Sequence, residues 1–296
     1  MNPSDAIHVP TVSSTALDRY AVLGHPVAHS QSPFIHAAFA AQTGQALAYD
    51  RVLCPLEDFA GAARAFFAGG ARGASVTVPF KFEALRLADL ATDRARLAGA
   101  ANTLALTPEG LLADNTDGVG LMNDLVGGAG CTLTGARVLV VGAGGAAAGV
   151  LGPLLALAPG EVVLANRTVA RAEALVMSHQ ALATTRGVKL RATDLGSPGA
   201  AFDVVINASA SSLAQAAVPV AGDVLRPGTL AVDLMYGPAA EPFLRWAGAC
   251  GAQARDGLGM LVEQAAEAFA LWRGVRPQTA PVLAALRERV ASAAKG

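Results

Sequence analysis

An α/β fold with a parallel sheet is predicted by three observations. Residues 138–141 form an uninterrupted apolar, mostly β-branched run that ends abruptly in glycines; a strand covered on both faces, as parallel strands are, shows continuous apolar character rather than alternation. A small-residue helical pattern resumes directly after those glycines. Strand-like and helix-like runs alternate along the rest of the chain, which is the rhythm of βαβ units. At 296 residues, 53% of them apolar, the chain is long enough for two domains with separate cores.

The turn after residue 141 is Gly142-Ala143-Gly144-Gly145-Ala146. Glycines there permit a tight turn and close approach of backbone to phosphates, whose charge is favoured at the N-terminus of the following helix. An ordinary βα turn without a nucleotide has the same glycines, so the turn alone leaves both readings open. Residues 138–158 carry no charge, yet the strand signature and the glycine cluster argue against a membrane span. About two dozen residues further on, where a dinucleotide site meets the ribose, the next apolar run ends in Asn166-Arg167-Thr168. An NAD site offers Asp or Glu here, a carboxylate that would repel a 2′-phosphate. This chain offers a cation and hydrogen-bond donors, with Thr168 suited to cap a helix and Arg171 one turn along it. Either arginine alone reads as solvated charge. Together at this position they point to NADP.

Net charge is -1 and the isoelectric point about 6.5, which leaves no basic surplus for a nucleic acid or an anionic membrane. Cys54, Cys131 and Cys250 are odd in number and have no CxxC spacing, which argues against a disulfide framework or a zinc site and fits a reducing cytoplasm. Residues 1–18 lack a basic segment followed by an apolar core and read as a loose tail rather than a secretory signal. The expected partners are therefore small molecules, with no metal. Composition is compatible with both a monomer and a homodimer.

In chain order, a short strand over residues 19–23 leads through Gly24-His25-Pro26 to a helix opened by Ser32-Pro33. Ser30 and Ser32 place two hydroxyls just before that helix, where they suit a small carboxylate; they equally suit a turn and a cap. A strand over 49–53 and a helix over 56–68 follow, then a strand through Thr77 into Pro79 and a helix carrying Lys81 in its first turn. A cation there opposes the helix dipole. Such a local conflict marks either function or a lysine solvated and paired with Glu83 or Glu57. Beyond residues 93–98 come Asn102-Thr103, a hairpin with its turn at 107–110, and Asp114-Asn115-Thr116-Asp117. Asp117 reads as the N-cap of a helix over 119–126 or as the carboxylate that orients Lys81. A surface pair is worth only about 0–1 kcal/mol, so catalysis gives a stronger reason than stability to pair them.

The second half continues with strands at 188–191, 203–207 and 229–236. Ligands of open α/β sheets bind beyond the carboxyl ends of the strands, which directs residues 207–209 and 234–236 at a cofactor. The run 207–212 also fits turn chemistry, and Tyr236 a packed aromatic. Amphipathic helices over 257–272 and 277–291 close the chain, with Gln264 beside the apolar stripe of the first, where a solvent-facing side chain is equally natural.

From about residue 20 to the C-terminus these motifs resemble shikimate dehydrogenases. Ser30-Gln-Ser32-Pro33 is similar to that family's carboxylate-binding segment, residues 76–81 to its VTVPFK strand and lysine, residues 99–103 to GAxNT, and residues 114–118 to DNTDG. The glycine turn, Asn166-Arg167-Thr168 with Arg171, residues 256–260 and Gln264 complete the set. The resemblance implies an α/β substrate domain (1–117, completed by 257–296) and a Rossmann-like NADP-binding domain with a parallel sheet (118–256). It implies Lys81 and Asp117 as the catalytic pair. Ser30, Ser32, Thr77, Asn102, Tyr236 and Gln264 would join them around shikimate, and Leu234, Gly257 and Asp93 would join the cofactor side. Ser75 stands where many members have Asn, and residues 207–212 depart from the family's NATSSG.

Overall fold

The computed structural model describes residues 17–209 and 218–293. The tail through residue 16 and the end of the 207–212 run, including Ser211 and Ser212, lie outside the described residues. In order the elements are β1 (Asp18–Gly24), α1 (Ser32–Thr43), β2 (Leu47–Leu53), α2 (Phe59–Ala68), β3 (Ala71–Val76), α3 (Lys81–Leu87), β4 (Leu90–Ala91), α4 (Asp93–Ala98), β5 (Thr103–Thr107), β6 (Gly110–Asp114) and α5 (Asp117–Asn123). After them come β7 (Arg137–Val141), α6 (Gly145–Ala156), β8 (Glu161–Ala165), α7 (Val169–Arg186), β9 (Lys189–Thr193), β10 (Val204–Asn207), β11 (Leu230–Asp233), α8 (Glu241–Ala249), β12 (Gln253–Arg255), α9 (Leu258–Arg273) and α10 (Ala280–Ala293).

Two six-stranded sheets result. The first has the order β2-β1-β3-β5-β6-β4. It is mixed: β1 runs parallel to β2 and β3, while β5 is antiparallel to β3 and, through the 107–110 hairpin, to β6. The second, β12-β11-β10-β7-β8-β9, is parallel throughout. Its chain proceeds outward from β7 through β8 to β9, then returns to β10 on the other side. The gap between the tops of β7 and β10 is thus the topological switch point, where ligands of such sheets bind, and Gly142 sits there.

Apolar alternation fails on β7 because both of its faces are covered. Val138 and Val140 pack in one core with α5, α6 and α7, and Leu139 and Val141 in another with α8. The first sheet is covered by α2 and α3 on one face, and α1, α9 and α10 share a further core. The C-terminal helices therefore return to the first half of the chain. Helix α5 joins the halves at close range: a Cβ on Gly120 would come within 2.6 Å of the Gln264 backbone on α9.

Two local expectations are corrected. The helix expected over 119–126 begins at Asp117, with Thr116 rather than Asp117 at its N-cap, and after Asn123 it widens into a π-turn over Asp124–Gly128. Asp124, the first residue of that turn, is buried and ion-paired to Arg255. Helix α1 begins at Ser32 itself, with Gln31 as the cap residue and no side-chain cap bond. Ser32 is thus not the cap residue, while Ser30 Oγ accepts the Ser32 N–H at 3.3 Å and lies 3.1 Å from Ser32 Oγ.

Candidate functional site

A cavity of about 320 Å³ opens between the two sheets. Its walls include Ser30, Ser32, Thr77, Lys81, Asn102 and Asp117 from the first sheet's loops, Gln264 from α9, and Ala146, Leu234, Tyr236 and Gly257 from the second half. Backbone geometry accounts for several of these placements. Thr77 follows the C-terminal end of β3, where its N–H donates to the Leu23 carbonyl at 2.9 Å. The helix that starts at Lys81 aims the lysine stem at the glycine turn: a Cβ on Gly145 would lie 3.5 Å from the Lys81 Cβ.

Lys81 Nζ pairs with Asp117 Oδ2, and neither Glu83 nor Glu57 is its partner. The pair is largely withdrawn from water, the two side chains being 13% and 2% exposed. The remaining Asp117 oxygen accepts from Asn102 Nδ2 at 2.8 Å, and the two N–H groups of that amide are shared between it, Thr116 Oγ1 at 2.9 Å and Gln264 Oε1 at 3.0 Å. Asn102 Oδ1 accepts the Thr116 backbone N–H at 2.8 Å. A backbone N–H only donates, so this bond fixes which end of the amide is oxygen. Asn102 therefore ties the hairpin, the start of α5 and α9 to one carboxylate.

Asp114, the first residue of this polar run, is buried behind the pair. Burial alone would raise its carboxyl, but hydrogen bonds from Arg94 and Thr92, with the Arg94 charge and the Asn115 N–H, hold it below the usual carboxylate value. Asn115 bonds the Ala100 carbonyl at 2.9 Å, and its Oδ1 accepts from the Asp117 N–H at 3.2 Å. The sequence shows the density of polar residues here; the partners that bury them come from α4 and the loop that follows it. Tyr236 is half-buried in the cleft, and burial raises its hydroxyl pKa against the opposing influence of the Gln31 backbone and the Arg51 charge. Ser75 also lines the cavity, and its Oγ accepts from the Tyr49 hydroxyl at 2.8 Å.

On the second sheet, Gly142 has φ +109°, a conformation that favours glycine. A Cβ on Gly144 would meet open space, so the start of α6 is accessible to a ligand's phosphates. Asn166, Arg167 and Thr168 lie at the end of β8, next to that turn. Thr168 is the N-cap residue of α7 without a side-chain cap bond, and Asn166 Nδ2 donates to its carbonyl at 2.8 Å. Arg167 and Arg171 are exposed, and among the described residues no carboxylate pairs with either. Two such cations beside an open glycine turn fit NADP. Leu234 and Gly257 meet at the cleft, the Gly257 N–H donating to the Met235 carbonyl at 2.8 Å.

Asp93 is not brought to this cleft. Its carboxylate is fully exposed at the start of α4 and pairs with Arg96 one turn on. Among the described residues, no helix is long and apolar enough to cross a membrane.

Family models match in three consecutive segments: a shikimate dehydrogenase substrate-binding domain over residues 22–104, a shikimate/quinate 5-dehydrogenase domain over 125–233, and a shikimate 5′-dehydrogenase C-terminal domain over 257–287. A shikimate dehydrogenase (NADP(+)) of Acidovorax sp. (strain JS42) is 60% identical over 281 residues, covering 95% of this chain and all of that one. The counterpart from Methylibium petroleiphilum is 61% identical over 280 residues, covering 93% and 95%. Among solved structures, the shikimate 5-dehydrogenase from Thermus thermophilus, in complex with NADP(H) and shikimate, is 34% identical and superposes with a TM-score of 0.81 over 92% of this chain and 99% of its own. The chain belongs to the shikimate dehydrogenase family.

Proposed function

We infer that this chain is an NADP-dependent oxidoreductase that reversibly reduces 3-dehydroshikimate to shikimate, a step toward chorismate and the aromatic amino acids. The observation that carries the reading is the withdrawn Lys81–Asp117 pair, held by Asn102 in a cleft whose opposite wall is the start of α6. NADPH, when bound, supplies the hydride that reaches the ring ketone.

Lys81 gives its proton to the oxygen that forms at that carbon, and Asp117 balances the lysine's charge and holds it in place. In the oxidative direction Lys81 takes the hydroxyl proton. A general acid–base of this kind contributes about 10² to 10⁴ in rate. Ser30 and Ser32 take the substrate carboxylate, while Thr77, Asn102, Tyr236 and Gln264 orient the ring. The turn from Gly142 through Ala143, Gly144 and Gly145 to Ala146 holds the pyrophosphate, and Asn166, Arg167, Thr168 and Arg171 the adenosine end with its 2′-phosphate. Leu234 and Gly257 border the nicotinamide. We assign residues 1–117 and 257–296 to the substrate domain and 118–256 to the cofactor domain, and place the enzyme in the cytoplasm.

Initial rates with NADPH and with NADH, each against 3-dehydroshikimate and 3-dehydroquinate, test this reading. Rapid turnover confined to NADPH with 3-dehydroshikimate is expected. Comparable rates with 3-dehydroquinate or NADH would instead indicate a broader quinate-type enzyme.

A further inference from the structure

Tyr49 and Arg51 lie two residues apart on β2 and so project from the same face of the sheet. Both reach the carboxylate end of the cleft from behind. The Tyr49 hydroxyl bonds Ser75 Oγ at 2.8 Å. Arg51 directs its whole fork at one atom, Nε and Nη2 donating to the Ser30 backbone carbonyl at 3.0 and 2.5 Å. Ser30 Oγ in turn meets Ser32 Oγ at 3.1 Å.

This use of a guanidinium is unusual in the chain. Most other arginines with side-chain bonds in the structure meet a carboxylate, whereas Arg51 has none among the described residues and is bonded to a neutral carbonyl. The cleft lining itself offers an anionic substrate little charge. Its lysine, Lys81, is neutralised by Asp117, and at its carboxylate end the side chains are the hydroxyls of Ser30, Ser32 and Tyr236 with His29 nearby. Arg51 is the cation bonded to the backbone one peptide unit behind those hydroxyls, while Arg289 reaches the same loop only at the Gln31 side chain, at 3.3 Å. That peptide is polarised in a useful sense, because the carbonyl bonded by Arg51 shares its plane with the Gln31 N–H, which faces the Tyr236 hydroxyl.

We propose that Arg51 is the counter-charge for the substrate carboxylate, a positioning residue that acts through the Ser30 carbonyl and makes the enzyme prefer acids to neutral analogues. The proposal rests on the reading that Ser30 and Ser32 hold that carboxylate. An exposed charge acting across one peptide unit contributes about as much as a surface ion pair, so the expected effect is roughly fivefold.

The test compares shikimate with its methyl ester as substrates for oxidation by NADP, in the wild type, Arg51→Gln and Arg51→Lys. For Arg51→Gln, kcat/KM for shikimate should fall about fivefold, through KM rather than kcat, with the ester almost unaffected. Arg51→Lys keeps the charge without the fork and should keep most of the acid-over-ester preference. Equal losses on both substrates would mean that Arg51 only braces the loop, and no loss on either would mean that it does nothing for binding; each result overturns the proposal. Ser30→Ala and Ser32→Ala separate the two layers of argument. An acid-over-ester ratio that responds to the serines and not to Arg51 sinks this proposal alone, and a ratio that responds to neither sinks the carboxylate site as well.

Discussion

Asn102 donates to Asp117 Oδ1 at 2.8 Å and so occupies the carboxylate oxygen that Lys81 leaves free. One amide thus fixes the rotation of the carboxylate, and the carboxylate fixes the lysine. Asn102→Ala would leave the Thr116 N–H and one Asp117 oxygen buried without their partner. Loss of about 1–3 kcal/mol in urea unfolding is expected, together with a fall in kcat as the lysine loses its set position. Unchanged stability and unchanged kcat would contradict the hub role.

We propose that the arginines beside the glycine turn set cofactor choice. Arg167→Ala combined with Arg171→Ala should raise KM for NADPH by about tenfold or more, the scale of a lost charge-assisted hydrogen bond. KM for NADH should stay close to its starting value, because the proposed contact of the arginines is with the 2′-phosphate that NADH lacks. Parallel losses for both cofactors, measured by initial rates, would assign the arginines to folding instead.

His36 is buried one turn along α1 from Ser32, its ring stacked on Tyr49 with centroids 4.2 Å apart and planes at 9°. Among the described residues neither ring nitrogen has a hydrogen-bond partner, and burial depresses its pKa to about 3. An unfolded histidine titrates near 6.5, so between these values the unfolded chain binds more protons than the folded one. The neutral ring is compatible with full stability above about pH 6.5, and stability is lost as pH falls toward 3, by up to about 1.4 kcal/mol per pH unit. His36→Phe keeps an aromatic ring among Tyr49, Phe39 and Phe269 and removes that slope. Urea midpoints at pH 7 and pH 5 should converge in the variant relative to the wild type; an identical drop in both proteins would remove His36 from the acid response.

Residues whose chemistry shows in local sequence were legible before the structure. The glycine turn, the lysine at an unfavourable helix start and the Asp114–Asp117 run each break a local rule, and each is found in or directly behind the cleft. Apart from Lys81 with Asp117, which their chemistry pairs, contacts set by distant chain segments were not legible. Asn102 meets Gln264 across 162 positions, and Arg51 meets Ser30 only because β2 lies beside β1. No spacing rule encodes either contact. Of the two readings open for Asp117, cap of α5 or partner of Lys81, burial against Lys81 and Asn102 selects the second and leaves Thr116 at the cap position. Asp93, which only the resemblance carried toward the cofactor, lies outside the cleft at the start of α4, beside Ala148 and Gly149 of α6.

Lys81→Met tests the central claim most directly, with single-turnover reduction of 3-dehydroshikimate measured beside NADPH affinity in the same protein. The account predicts that turnover falls by about 10² to 10⁴ while the NADPH dissociation constant changes little, because the contacts proposed for the phosphates are with the glycine-turn backbone and not with Lys81. Near-normal turnover in Lys81→Met would contradict it.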